Sequence, residues 1–159
     1  MRVREIMTAN PVCCKPETNL AEATKLMWKA DCGVLPVVRD KRLEGVLTDR
    51  DICIALGTRG KRASELTADE VATHRVETCL PGDEIHTAMA AMERAKVRRL
   101  PVVGLDGSIE GIVTLSDIVM AAESGHGRIT AKDLLHTIRA VSEPRAPKTA
   151  APVMMAAVR

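Results

Sequence analysis

One stretch of this chain is written twice. Gly33-Val34-Leu35-Pro36-Val37-Val38, followed by Leu43-Glu44-Gly45-Val46-Leu47-Thr48-Asp49-Arg50-Asp51-Ile52, returns in altered form further on. The second version is Arg98-Arg99-Leu100-Pro101-Val102-Val103, followed by Ile109-Glu110-Gly111-Ile112-Val113-Thr114-Leu115-Ser116-Asp117-Ile118. Pro36 maps to Pro101, a step of 65, while Thr48 maps to Thr114 and Asp51 to Asp117, a step of 66. The one-residue difference fits in the short loop between the two blocks. Such a period means one supersecondary unit used twice, each copy of about 60 residues marginal in stability alone. Because both copies end in Thr-x-x-Asp, it also means two copies of one candidate site.

Each copy reads as β-α-β-β-α. A short extended segment around Pro11-Val12-Cys13, or Arg75-Val76-Glu77, comes first. A turn and a helix start follow, with Asn19 and Glu22 spaced as a capping box. Leu20, Ala23, Leu26 and Met27, and then Ile85, Ala88, Met89 and Met92, recur at helical spacing and form core stripes. The Pro-Val-Val runs are buried strands. Asp106-Gly107 is a strong hairpin signal, while Asp40-Lys41 fills the same loop with weaker chemistry. Gly45-Val46-Leu47 and Gly111-Ile112-Val113 return as strands, and closing helices start at Asp51 and Asp117. The expected fold is α/β (α+β), with copies over 1–60 and 61–123 stacked sheet to sheet over a shared core. Residues 124–159 are expected to hold an amphipathic helix, capped at Thr130-Ala131-Lys132-Asp133 and carrying Leu134, Leu135, Ile138 and Val141. A break at Ser124-Gly125-His126-Gly127 precedes that helix. From Pro144 a loose tail follows, in which Val153-Met154-Met155 has no evident place.

Composition narrows the function. Trp28 is the lone aromatic among 159 residues, so base stacking, the usual device for single-stranded nucleic acid, is essentially out of reach. The net charge of +2 is interspersed, which argues against a polyanion-binding surface. No apolar run is long enough for a membrane span, and Met1–Ile6 lacks the apolar region of a signal peptide. The five cysteines, Cys13, Cys14, Cys32, Cys53 and Cys79, have no metal spacing and read as reduced thiols of a cytoplasmic protein. The four histidines have none either, and no nucleophile–base constellation marks an enzyme.

Thr48 and Thr114 each stand where an apolar strand stops and a helix begins. With an acid three residues on, each pair makes a helix cap and needs no ligand. The same geometry suits a nucleoside phosphate. A helix N-terminus presents N–H groups to phosphate, a threonine hydroxyl can add a donor, and a carboxylate at the rim can accept both hydroxyls of a ribose. Arg98 and Arg99, with Lys96 nearby, stand at a strand entrance where they could neutralise phosphate. Gly33-Val34 stands at the matching place in the first copy, where glycine lets backbone approach a flat ring. The two sites are therefore expected to be unequal, one more apolar and open, the other richer in charge.

The pattern Gly-h-h-Thr-x-x-Asp after an h-Pro-Val-Val strand, twice in tandem over about residues 3 to 122, resembles a pair of cystathionine-β-synthase (CBS) domains, a Bateman module. The opening of the second copy, Val71-Ala72-Thr73-His74-Arg75-Val76, departs from Met7-Thr8-Ala9-Asn10-Pro11-Val12 in the first. The resemblance implies a stand-alone regulatory module, not an enzyme. Its regulatory ligand would be AMP, ADP, ATP, NAD or S-adenosylmethionine in the cleft between copies, with no prosthetic group. Carried onto this chain, Asp51 and Asp117 would hold ribose hydroxyls, and Thr48 and Thr114 would flank ribose or phosphate. Val12, Gly33, Val34 and Pro36 would line one adenine pocket. Val76, Leu100 and Pro101 would line the other. Arg98, Arg99 and Arg50 would meet phosphates, with Ser116 at the position matching Arg50. A homodimer through the module's helices and a downstream protein partner are also implied. Two other readings stand beside this one: a ligand-free dimerisation or docking module, and a thiol redox sensor at Cys13-Cys14 or Cys32.

Overall fold

The structure is a computed structural model describing residues 1–123 and 129–144. The expected break at 124–127 and the tail beyond Pro144 lie outside the described residues. In chain order the elements are β1 (Thr8–Ala9), α1 (Leu20–Lys29), β2 (Val34–Arg39), β3 (Arg42–Thr48), α2 (Asp49–Arg59), α3 (Ala68–Val71), α4 (Ile85–Ala95), β4 (Arg99–Val103), β5 (Ile109–Thr114), α5 (Leu115–Glu123) and α6 (Ala131–Ser142). Short 3-10 turns at Val3–Glu5 and Ala63–Glu65 precede β1 and α3.

The repeat is preserved in detail. β2 and β3 form an antiparallel hairpin, as do β4 and β5. Each has a register shift at the same place, between Val37 and Val38 and between Val102 and Val103. The shifts leave Glu44 and Glu110 as the extra residues of two matching bulges. The first strand of each copy is contracted to a single parallel bridge, Cys14 to Val37 and Cys79 to Val102. The β2–β3 turn is tighter than its sequence suggests. Asp40 and Lys41 both have positive φ, 50° and 68°, as a two-residue type I′ turn requires, although neither is glycine.

The expected single core between stacked sheets is not what forms. Buried side chains divide into two clusters. Strand alternation sends Leu35 and Val37 into the first core, and Leu100 and Val102 into the second. Each of these is fully buried, a contribution of roughly 1.5–3 kcal/mol per large aliphatic side chain. Val34 and Ile112 are buried but belong to neither cluster, since the pleat turns them to the opposite face.

What joins the copies is an exchange of segments. Val3, in the opening residues of the first copy, lies fully buried in the second core, with Met1, Ile6 and Met7 packed against it. Leu66 and Ala68, in the opening residues of the second copy, lie in the first core. The crossings are hydrogen-bonded alike. β1 pairs with β5 through Thr8–Ile112 and Ala9–Gly111, and Thr73 bridges Val46 in β3. Gly45 and Gly111 allow this. A Cβ on Gly45 would stand 3.0 Å from the Thr73 carbonyl oxygen, and one on Gly111 would stand 3.0 Å from that of Thr8.

The expected C-terminal helix is α6, which packs on α4 and α5. Val141 enters the second core and Leu134 packs against it. The buried Thr137 hydroxyl donates to Glu93 Oε1 at 2.5 Å. Thr130 and Asp133 cap the helix. Leu135 and Ile138 remain exposed.

Candidate adenosyl-binding site

Both Thr-x-x-Asp motifs form complete helix caps. In α2, the Thr48 amide and hydroxyl donate to Asp51 Oδ2 at 3.1 and 2.6 Å, and the Asp51 amide donates to Thr48 Oγ1 at 3.2 Å. In α5, the Thr114 amide and hydroxyl donate to Asp117 Oδ2, both at 2.8 Å, and the Asp117 amide returns to Thr114 Oγ1 at 3.2 Å. Only one oxygen of each carboxylate is used. Among the described residues Oδ1 of Asp51 and of Asp117 carries no hydrogen bond, and both side chains are partly exposed. Capping alone does not mark a site, because Thr67–Glu70 and Thr130–Asp133 make the same box elsewhere.

Hairpin register decides what faces each motif. Val34 lies opposite Thr48, and Arg99 opposite Thr114. The Asp49 amide donates to the Gly33 carbonyl at 3.3 Å, and the Leu115 amide to the Arg98 carbonyl at 2.8 Å. Gly33, Val34, Thr48, Arg50 and Asp51 therefore converge at one hairpin end. Arg98, Arg99, Thr114, Ser116 and Asp117 converge at the other. Pro36 and Pro101 are buried, and their carbonyls accept from Cys14 and Cys79 at 3.0 and 3.1 Å, which pins the opening segment of each copy alongside. Val12 is exposed on the first of these segments.

Two expected lining residues lie apart from these clusters. Leu100 is fully enclosed in the second core, so its backbone is what it can offer a ligand. Val76 lines a cavity of about 170 Å³ with Leu43, Glu44, His74, Thr78, Val103 and Gly107. Val103 stands at the opposite end of the hairpin from Arg99 and Thr114. That volume is below the ~300 Å³ at which small-molecule pockets begin, and the cavity includes neither motif.

The inequality at Gly33 has a cause that sequence reasoning missed. The space above Gly33 belongs to Asp49, whose Oδ2 would stand 2.8 Å from a Cβ there. The visible signal was the difference between Asp49-Arg50 and Leu115-Ser116 inside motifs that share their Thr and Asp ends. His74 was missed as well. Its ring nitrogens lie 3.0 Å from the Asp69 carbonyl and 3.2 Å from that of Glu44. A neutral imidazole can donate to only one of them, so the Asp69 carbonyl, and then that of Glu44, raise its pKa above the ordinary 6.5.

Burial acts on three of the thiols, Cys13, Cys14 and Cys79. Burial pushes Cys14 up to about 11 and Cys79 up to about 12, and it raises Cys13 as well. A thiol held protonated is a weak nucleophile. All five cysteines are free.

The sequence and the fold have known relatives. The family model described as CBS domain matches residues 3–58 and 68–124. Hypoxic response protein 1 of Mycobacterium tuberculosis is 36% identical over 116 residues, spanning 72% of this chain and 80% of that protein. Its crystal structure holds two coordinated zinc ions and superposes with a TM-score of 0.69, covering 76% of this chain and 98% of that one. Among the described residues here, no group of three or more His, Cys, Asp or Glu side chains is placed to hold a metal ion. The CBS domain pair of protein MJ0100, in complex with 5'-methylthioadenosine and S-adenosyl-L-methionine, is similar at 26% identity and a TM-score of 0.71, over 79% of this chain and 98% of that one. CBSX2 in complex with AMP is similar at 28% identity and a TM-score of 0.69, over the same shares.

Proposed function

The chain belongs to the CBS-domain family, as a tandem pair, and from that premise we propose that it is a regulatory module which binds adenosyl ligands at Thr48–Asp51 and Thr114–Asp117. The observation that carries this reading is the spare Oδ1 on both aspartates, each held at a strand end by a cap that uses only Oδ2. A ribose diol is a matching donor pair for such an oxygen. The complexes of MJ0100 and CBSX2 support the ligand class. AMP, ADP, ATP, NAD and S-adenosylmethionine are the candidates, with no prosthetic group.

Binding would be passed on through the module's outer helices. Cys53 and Ile54 on α2, and Val119 and Met120 on α5, are exposed and occupy matching positions in the two copies. Apolar surface at matching helix positions suits homodimerisation, with a downstream protein reading the ligand state. No helix among the described residues is long and apolar enough to cross a membrane, and a cytoplasmic setting fits reduced thiols.

Thermal-shift measurements with the five ligands test the proposal, since a ligand that binds only the folded chain raises Tm. At least one should do so. Asp51→Ala and Asp117→Ala should each remove one site as well as a cap worth about 1 kcal/mol. Asp133→Ala should cost a similar cap and leave ligand binding unchanged. If no ligand shifts Tm, or if both site variants bind like the parent, the motifs serve as caps alone.

A further inference from the structure

The two Thr-x-x-Asp ends carry opposite charge and differ in which backbone amides are free. At the start of α2 stand Asp49, Arg50 and Asp51, a net negative group. Around the start of α5 stand Arg98, Arg99 and Asp117, a net positive one. The amides differ in the same sense. In α2 the Asp49 amide is taken by the Gly33 carbonyl, the Arg50 amide by Asp49 Oδ1 at 2.7 Å, and the Asp51 amide by Thr48 Oγ1. The chain's own acceptors thus fill the first turn. In α5 the Leu115 amide is taken by the Arg98 carbonyl and the Asp117 amide by Thr114 Oγ1. The Ser116 amide, which matches that of Arg50, has no acceptor among the described residues. Leu115 cannot do what Asp49 does, because it has no side-chain acceptor.

We infer that Asp49 sorts the two pockets by ligand charge: it closes the first to phosphate, leaving that pocket to uncharged or cationic adenosyl ligands, while the second accepts a nucleotide phosphate. The physical cause is competition. Asp49 places a carboxylate where a phosphate would otherwise meet the N-terminal dipole of α2, and the same carboxylate occupies the amide a phosphate oxygen would use. It also covers the Gly33 backbone, so a second anion there would stand against it without a new donor. This inference rests on the adenosyl reading above and deepens it.

Calorimetric titration of the full chain separates the two claims. With AMP the parent should bind one equivalent per chain, and 5'-methylthioadenosine should fill the remaining site after AMP is saturating. Asp49→Leu installs the residue found at the matching position of the second copy, and it should raise AMP to two equivalents. Asp49→Ala removes both the charge and the acceptor that holds the Arg50 amide and should do the same, which guards against a folding defect in the first variant. Arg98→Gln should weaken AMP by about tenfold, the loss of one charge-assisted hydrogen bond, and leave methylthioadenosine unchanged. Two equivalents of AMP with similar affinity on the parent, or one on both Asp49 variants, would overturn the sorting and leave the adenosyl reading standing. Absence of any binding by either ligand would remove both.

Discussion

At the scale of single residues, one side chain often serves two duties. Asp51 and Asp117 close their helix caps with Oδ2 and keep Oδ1 available, so a structural role and a binding role are compatible in one carboxylate. Asp49 and Arg50 stand where the second copy has Leu115 and Ser116, and under the charge-sorting proposal above the first of these differences sets the character of a site. His74 ties two carbonyls together, Asp69 on the approach to the second copy and Glu44 in β3. Its raised pKa fixes the sign of a pH effect. The protonated ring satisfies both carbonyls, so its stabilisation is fully present below the ordinary value of 6.5 and is lost as pH rises through the higher folded value. Melting curves from pH 6 to 8 should show Tm falling with pH more steeply in the parent than in His74→Ala. Equal slopes would mean that the ring does not titrate against these carbonyls.

Among the elements, the two hairpins carry the organisation. Each bulge, at Glu44 and at Glu110, immediately precedes the glycine where a segment from the other copy crosses. A bulge bends and twists its strand locally, and glycine then lets foreign backbone approach. Gly45→Ala and Gly111→Ala should each destabilise the protein by about 1–3 kcal/mol, the usual cost of forcing atoms into a packed site. Chemical denaturation should show this as a lower midpoint with an unchanged slope. A neutral Gly111→Ala would mean that Met7, whose Sδ stands 2.6 Å from the added Cβ position, and the Thr8 backbone both give way freely. The β2–β3 turn carries a related lesson. Asp40 and Lys41 both adopt positive φ, a conformation their residue types disfavour and that the paired strands on either side impose.

In the molecule as a whole, the copies hold each other by exchange. Val3 is far in sequence from the second core and fully buried in it, so that core is incomplete without the first residues of the chain. Val3→Ala in the full chain should cost about 1–3 kcal/mol. Hydrogen exchange should show the loss at core amides of the second copy, such as Leu100 and Val113, more than at Leu35 and Leu47. A uniform effect would mean that the two cores open together. Much of this protein was legible in one dimension. The repeat, the helix stripes, the caps at Asn19 and Thr130 and the convergence of Thr-x-x-Asp with the strand entrances all follow from local rules, because periodicity and capping act over a few residues. The division into two cores, the crossing of residues 1–9 and 63–73 and the separation of Val76 from Thr114 depend on contacts between distant residues, which no local pattern encodes. Asp49 lies between these cases. The sequence by itself determined which residue stands beside the motif, whereas only the tertiary structure decided that its carboxylate covers Gly33 and takes the Arg50 amide, since that depends on how β2 and the start of α2 come together in space.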